Sequence, residues 1–365
     1  MVEIEELASG LSGTYLMKRL YLSTANIAPS ARNDFWSSII RPIYEISSYD
    51  GDTTRLLEGE IWSYSAGPLT IGATSFNQQR YQRDKRLIGL TGLDFHLVQL
   101  ITVGTLKGDF DGKSVDATVG DIVIIDLARP VRSEATTGRR ITTTLPRDVL
   151  NRAVAWRDIH GTTLPGRAPA TRMIAHFLKG VLDVAHQLTP EEGAATQEAM
   201  IKLFAASLNN LAAPPRFGDE AALNHRLKDA IVQYIEQNLS SYNLSITSIQ
   251  KRFNISRTHL YRLFEPENGI SGFIKDKRLN LALRDLTGQP NRSVTAKELA
   301  YQYGFESAGA FNRQFRERFG MSAKEMIHEG HLTPMNAGSD FDLHNHIRTR
   351  VLTAAQAINN TPHYQ

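Results

Sequence analysis

The chain has 365 residues, 22% of them charged and 41% hydrophobic. That mixture excludes disorder throughout, and the length implies two or three domains. Its 41 Lys and Arg against 38 Asp and Glu give a net charge of only +3, which is mute about nucleic acid because it averages over the whole chain, and its lack of cysteine excludes disulfides, thiolate-bound zinc, iron–sulfur clusters and a cysteine nucleophile.

Met1–Glu6 is acidic and lacks the basic start and apolar run of a signal peptide. No stretch approaches about 18 consecutive apolar residues, so a soluble, cytoplasmic protein is expected. Residues 31–47 open with Phe35, Trp36, Ile39 and Ile40 at helical spacing and predict a helix. From Thr54 to Leu145 the texture changes to short runs of Ile, Val, Thr and Tyr broken by Gly and Asp. Strands are expected at Ile61–Tyr64, Thr70–Phe76, Phe95–Val103, Ser114–Thr118 and Ile122–Leu127, with a hairpin turn around Asp109, Asp111 and Gly112. Such spacing predicts a β-sandwich or barrel, and the Gly120-Asp121 turn into a buried strand has the texture of a cupin-like barrel.

A metal-binding cupin needs clustered His and Glu ligands. Here His96 stands alone among the strands, either a hydrogen-bonded strand histidine or a single ligand, and one His makes no three-ligand site. No metal, cofactor or acid/base pair is therefore assigned, and a cupin-type enzyme is disfavoured. Arg80, Arg83, Lys85 and Arg86 form a basic cluster that reads either as a solvated loop or as a site for an anionic effector.

Gly161–Pro169 reads as a connection. A helix follows with the stripe Met173, Ile174, Phe177, Leu178, Val181 and Leu182. Thr189-Pro190-Glu191-Glu192 then starts a second helix, with Thr189 as cap and Glu192 reaching back. These stripes either pack on the barrel or form a subunit contact. Ala212-Ala213-Pro214-Pro215 marks a boundary.

The last third repeats itself. Leu260-Tyr261-Arg262-Leu263-Phe264 matches Phe311-Asn312-Arg313-Gln314-Phe315, and the same shift carries Gly269 onto Gly320 and Ser271 onto Ser322. Each copy reads as helix, turn and capped helix. Asn254 and Gly304 make the turns, Ser256 and Ser307 cap the second helices, and Phe273–Leu286 connects the copies. This is the helix-turn-helix plan. Residues 246–320 hold 13 Lys and Arg against 7 acids, a local +6 that leaves −3 for the rest. A basic repeat of this kind attracts duplex phosphates.

The run Ala300–Ser307, Phe311–Arg316 and Phe319–Ser322, together with the first copy, resembles the signature of AraC/XylS-type transcription regulators over about residues 220–327. The resemblance implies an α+β multidomain protein. Residues 1–170 would be a cupin-like sensory and dimerisation barrel, 171–218 a helical pair and linker, and 219–330 an all-α domain of two helix-turn-helix units joined by a linker helix. Residues 331–365 form a tail, in which His344 and His346 are a weak metal signal and Ile347–Ile358 a short amphipathic helix. The resemblance also implies two successive major grooves of double-stranded promoter DNA, recruitment of RNA polymerase, activation, a small-molecule effector and a homodimer. A ligand-independent architectural DNA-binding protein is the alternative.

A recognition helix meets bases with its N-terminal half. In the first copy Arg257, Thr258, His259, Tyr261 and Arg262 are the candidates, with Lys251 and Arg252 upstream as further DNA contacts. Arg262 reads as the base reader, because a guanidinium grips guanine O6 and N7 together, or else as a phosphate contact or internal ion pair. In the second copy Ser307, Asn312, Arg313 and Arg316 are the candidates. Ala308-Gly309-Ala310 offers no hydrogen-bonding side chain, which favours backbone contacts and close approach over base readout.

Overall fold

The computed structural model describes residues 2–7, 17–49, 54–211, 219–241, 243–288 and 295–329. The expected boundary at Ala212–Pro215 and the whole 331–365 tail lie outside the described residues. The chain runs through β1 (Val2–Leu7), β2 (Met17–Ser23), α1 (Pro29–Ile40), β3 (Glu45–Ser48), β4 (Gly59–Ala66), β5 (Leu69–Phe76), β6 (Gln79–Arg83) and α2 (Lys85–Thr91). It continues through β7 (Phe95–Val103), β8 (Leu106–Phe110), β9 (Lys113–Ala117), β10 (Ile122–Asp126), β11 (Val131–Ala135), β12 (Gly138–Pro146), α3 (Arg147–Ala153) and β13 (Thr162–Leu164). The rest is helical: α4 (Pro169–Val184), α5 (Pro190–Leu211), α6 (Asp219–Asn238), α7 (Ile246–Phe253), α8 (Arg257–Leu263), α9 (Gly269–Gly288), α10 (Ala296–Gln302), α11 (Ala308–Phe319) and α12 (Ala323–Glu329). Among the described residues no helix is long and apolar enough to cross a membrane.

The strands form two antiparallel sheets, one ordered β1-β2-β4-β5-β12-β7-β10-β13 and one β3-β6-β11-β8-β9. Alternation along β10 shows why its five residues are all apolar or buried. Val123 and Ile125 point into the space between the sheets, with Leu97, Phe110, Val131 and Trp36. Ile122 and Ile124 point the other way, onto α3, α4 and α5, with Ile174, Leu178 and Phe204. A strand covered on both faces has no polar side, so its sequence reads as a continuous apolar run. The helical pair therefore packs on the barrel, and Thr189 and Glu192 form the expected cap (Glu192 N to Thr189 Oγ1, 3.2 Å; Thr189 N to Glu192 Oε2, 2.8 Å). Met173, counted in the apolar stripe, is instead 65% exposed.

The helix expected over 31–47 stops at Ile40, and Glu45–Ser48 is a strand. Pro42 explains the stop, since proline lacks the amide to continue the helix, although Arg41 itself keeps helical dihedrals. The turn expected near Asp111 is Asp111-Gly112, both with positive φ (53° and 87°), closing the β8–β9 pair Phe110–Lys113. That is the geometry hairpin twist demands, and Asp-Gly supplies it cheaply. The connecting helix begins earlier than expected, at Gly269.

Candidate nucleic-acid interface and barrel cavity

Ser245 caps α7 and exchanges amide hydrogen bonds with Ser248, both at 3.0 Å. Asn254 then takes the left-handed backbone (φ 47°, ψ 50°) that asparagine tolerates better than most L residues. Ser256 caps α8 by accepting from the His259 amide at 3.2 Å. Leu260, Phe264 and Ile249 are buried against Ile231, Val232 and Ile235 of α6. Burying that side turns Arg257, Thr258 and Arg262 outward, with Thr258 and Arg262 one turn apart on the exposed face. Arg257 sits 5.4 Å from the Tyr261 ring, and the Tyr261 hydroxyl is 3.4 Å from Ser271 Oγ. The Arg262 side chain makes no hydrogen bond or ion pair among the described residues. Lys251 and Arg252 are exposed at the end of α7. His259 is half-buried, its imidazole 2.9 Å from Asn224 Oδ1, so it is committed inside the unit.

The second unit repeats the construction. Thr295 and Glu298 cap α10 reciprocally (Thr295 N to Glu298 Oε2, 2.8 Å; Glu298 N to Thr295 Oγ1, 3.2 Å). Gly304 turns with φ 66°, and Ser307 Oγ accepts the Ala310 amide at 3.1 Å, which makes it the cap of α11. Phe311, Phe315 and Phe319 are buried in a row with centroids 5.4 and 4.6 Å apart. Gly309, Arg313, Arg316 and Glu317 are therefore exposed. Arg316 is paired with Glu325 at 2.6 Å, and Asn312 is half-buried with its Oδ1 unbonded.

The +6 of the repeat does not all face outward. Lys277, 7% exposed, pairs with Asp148 of α3 at 2.5 Å and Glu236 of α6 at 2.8 Å. Arg278 binds the carbonyls of Leu239 at 3.0 Å and Gly304 at 3.1 Å, tying the two units together. Arg284 faces Asp94 of the barrel at 3.7 Å, and Arg318 lines the cleft between barrel and α9. Lys277, Arg278 and Arg284 face acids and carbonyls at internal seams and Arg318 lies in the cleft, so the count of 13 overstates the exposed charge.

The barrel docks on both units. Trp156, held with φ 58°, sits edge-on to Phe273 at 5.8 Å and donates to Asp229 Oδ1 at 3.1 Å. On the other unit, Ile88 and Leu90 of α2 join the Phe311–Phe319 core, and Lys85 Nζ donates to the Glu317 carbonyl at 3.1 Å. This contact holds the C-terminal end of α11 and leaves Gly309 and Arg313 exposed. Asp126, at the end of β10, accepts Arg147 Nε at 3.0 and 2.9 Å. Burial opposes its charge, but Arg147 beside it holds the carboxyl well below the usual carboxylate range.

A cavity of about 110 Å³ lies between the sheets, lined by Trp36, Tyr44, Trp62, Phe76, Tyr81, Leu97, Ile125 and Arg140 among others. Arg140, 4% exposed, donates to Gln99 Oε1 at 3.1 Å and lies 4.9 Å from the Phe76 ring. The expected basic cluster does not converge on this space. Arg83 is fully buried on the carbonyls of Leu127 and Ile43 (both 2.8 Å) and Thr91 Oγ1 (2.9 Å). Arg80 stands on the surface near Glu134 at 3.9 Å, and Lys85 grips α11. His96 is hydrogen-bonded through Nε2 to Asn151 Oδ1 at 2.8 Å. Sequence reasoning missed Arg140 and Trp156. Strand alternation at Arg139-Arg140 implies that one of the two faces inward without saying which, and nothing local marks Trp156.

Residues 249–328 match a helix-turn-helix domain family, and residues 52–232 match the AraC-binding-like domain family. The chain is 28% identical over 103 residues to the transcriptional activator RhrA of Rhizobium meliloti (strain 1021), a match covering 28% of this chain and about a third (32%) of that protein's length. It is 31% identical over 114 residues to the multiple antibiotic resistance protein MarA of Escherichia coli (strain K12), covering 31% of this chain and 84% of MarA. The crystal structure of the AraC-like transcriptional activator CuxR shares the fold over 72% of this chain and 94% of CuxR, at 20% identity and a TM-score of 0.51. A duplicated, capped helix-turn-helix behind an AraC-binding-like barrel, in matching segments of the sequence, places this chain in the AraC/XylS-type family of transcription regulators.

Proposed function

We propose that this chain is a cytoplasmic transcription activator, not an enzyme, whose α8 and α11 enter successive major grooves of double-stranded promoter DNA. The observation that carries this reading is the exposed face of α8, where the Arg262 side chain has no partner among the described residues while Leu260 anchors the helix. Arg262 reads guanine. Arg257, Thr258 and Tyr261 flank it, Lys251 and Arg252 bind phosphates, and His259 and Ser307 orient the helices. Arg313, with Arg316 and Asn312 beside it, provides backbone contacts in the second groove. Residues 219–330 form the DNA-binding domain, 171–218 the helical pair and linker, and 1–170 the sensory and dimerisation barrel. A homodimer recruits RNA polymerase.

A small molecule in the barrel modulates binding. Support comes from β10 and β7, which wall both spaces. Ile125 and Leu97 line the cavity, while the adjacent Asp126 and His96 line the interdomain cleft.

Binding to the chain's own operator and to random duplex, measured across salt, tests the DNA reading. Arg262→Ala should cut the operator preference at least about fivefold, since a bidentate guanine contact carries about 1–3 kcal/mol of discrimination. Lys251→Ala should weaken both duplexes alike and lower the salt slope by about one. Undiminished preference in Arg262→Ala would remove Arg262 as the reader.

A further inference from the structure

We propose that the barrel cavity takes a small apolar monocarboxylate whose carboxylate pairs with Arg140. This rests on the effector reading above and names the ligand class. Among the described residues of the barrel, two arginines are buried and they are treated differently. Arg83 spends its guanidinium on backbone carbonyls and a threonine hydroxyl, as a structural clamp does. Arg140 lines the cavity with its Nε unbonded, one donation to Gln99 Oε1 at 3.1 Å and one marginal approach to the Thr105 carbonyl at 3.5 Å. A guanidinium has five N–H donors, so most of this fork is unspent.

Among the described residues no carboxylate pairs with Arg140. The acidic groups that act on it are the phenols of Tyr44 and Tyr81. Burial pushes the Tyr44 hydroxyl up to about 12 and the Tyr81 hydroxyl higher still, so both stay neutral and neither is a counter-ion. A lone buried charge is costly, and an incoming anion relieves it.

The rest of the wall selects what carries that anion. Trp36, Ile40, Ile61, Phe76, Leu97 and Ile125 make most of the wall carbon, with scattered hydroxyls such as Ser63, Thr142 and Thr144 between them. A single guanidinium in an apolar wall suits one negative charge and a hydrocarbon body, and a carboxylate matches the fork two-fold. An apolar cavity of about 150 Å³ accepts the six carbons of benzene, so about 110 Å³ suits a ligand of about four to six non-hydrogen atoms.

The test uses the full-length protein with propanoate and 2-methylpropanoate, each against its primary amide. Affinity is read by calorimetry and by tryptophan emission, since Trp36 and Trp62 both line the cavity. The acids should bind and the amides bind at least about tenfold more weakly, as expected for losing charge-assisted hydrogen bonds. Arg140→Met should abolish that preference while melting no lower than the unmodified protein. The amide comparison stands even if the variant fails to fold. Amides binding as tightly as acids, or acids keeping their affinity in folded Arg140→Met, overturns the proposal and leaves a barrel that takes neutral effectors. Absence of binding by every probe also overturns it. The effector reading is judged separately by Thr142→Phe, which fills the cavity. If that folded variant leaves promoter output unchanged in a reporter strain, the effector reading falls as well.

Discussion

His160 joins the two halves of the barrel domain through one proton position. Its Nδ1 accepts the Asp126 amide at 3.0 Å, and its Nε2 faces the Pro130 carbonyl at 3.2 Å. Only the neutral ring protonated on Nε2 satisfies both. Burial, the largest cause, holds its pKa down at about 4 against nearby Asp126. A histidine depressed in the folded state costs stability on acidification. Between its ordinary value near 6.5 and about 4, the unfolded chain binds a proton that the folded chain refuses. Stability is therefore full above the unfolded pKa and falls with pH through that window, by about 2 kcal/mol from pH 7 to 5. Denaturant melts of the wild type and His160→Gln at both pH values should show a shallower loss in the variant. Equal slopes would exclude His160 as the source.

The second recognition helix trades intrinsic stability for a bare N-terminal turn. Phe311, Phe315 and Phe319 anchor α11, so its first turn need not hold itself together. A methyl added at Gly309 meets only Ser307 Oγ at 3.9 Å, so the space is open and packing does not explain the glycine. Gly309→Ala should raise stability by about 0.5 kcal/mol, less than a helix-interior site because the position lies in the first turn. If α11 approaches DNA backbone-first, the same variant should bind operator DNA more weakly. A stabilised variant with unchanged affinity would exclude close approach there. The capped turns of this region were legible in the sequence because caps and left-handed turns depend on a few adjacent residues. Ser245, Asn254, Ser256, Thr295, Gly304 and Ser307 all act within four positions of themselves. Helix α2 was not legible. Its Lys85–Thr91 run is short, and five of its seven residues are buried on two sides by separate partners, which erases helical periodicity.

Among the described residues, two seams join the barrel to the helical units. One is the α2–α11 contact. The other is Lys277, which bridges α3 of the barrel and α6 of the first reading unit beneath Trp156, 5.2 Å from its ring. Lys277→Met should leave Asp148 and Glu236 without their shared cation, with Arg152, 3.5 Å from Glu236, still paired to the latter. We expect a loss of about 2 kcal/mol, less than for a fully enclosed pair because both carboxylates keep contact with water. In calorimetry the barrel and the reading units should then melt apart. A single undiminished transition would show that Lys277 does not couple them. By itself the sequence determined the duplicated helix-turn-helix, the β-rich front half and the outward arginine of α8, since these rest on local periodicity and caps. Only the tertiary structure decided which cations are left facing solvent. The +6 count treated Lys277, Arg278, Arg284 and Arg318 as equivalent to Arg262, although long-range neighbours draw those four to internal seams. The same holds inside the barrel, where adjacent Arg139 and Arg140 differ only in which sheet face each takes. Composition records charge, but burial and partners, set by residues far away in the chain, decide what that charge can meet.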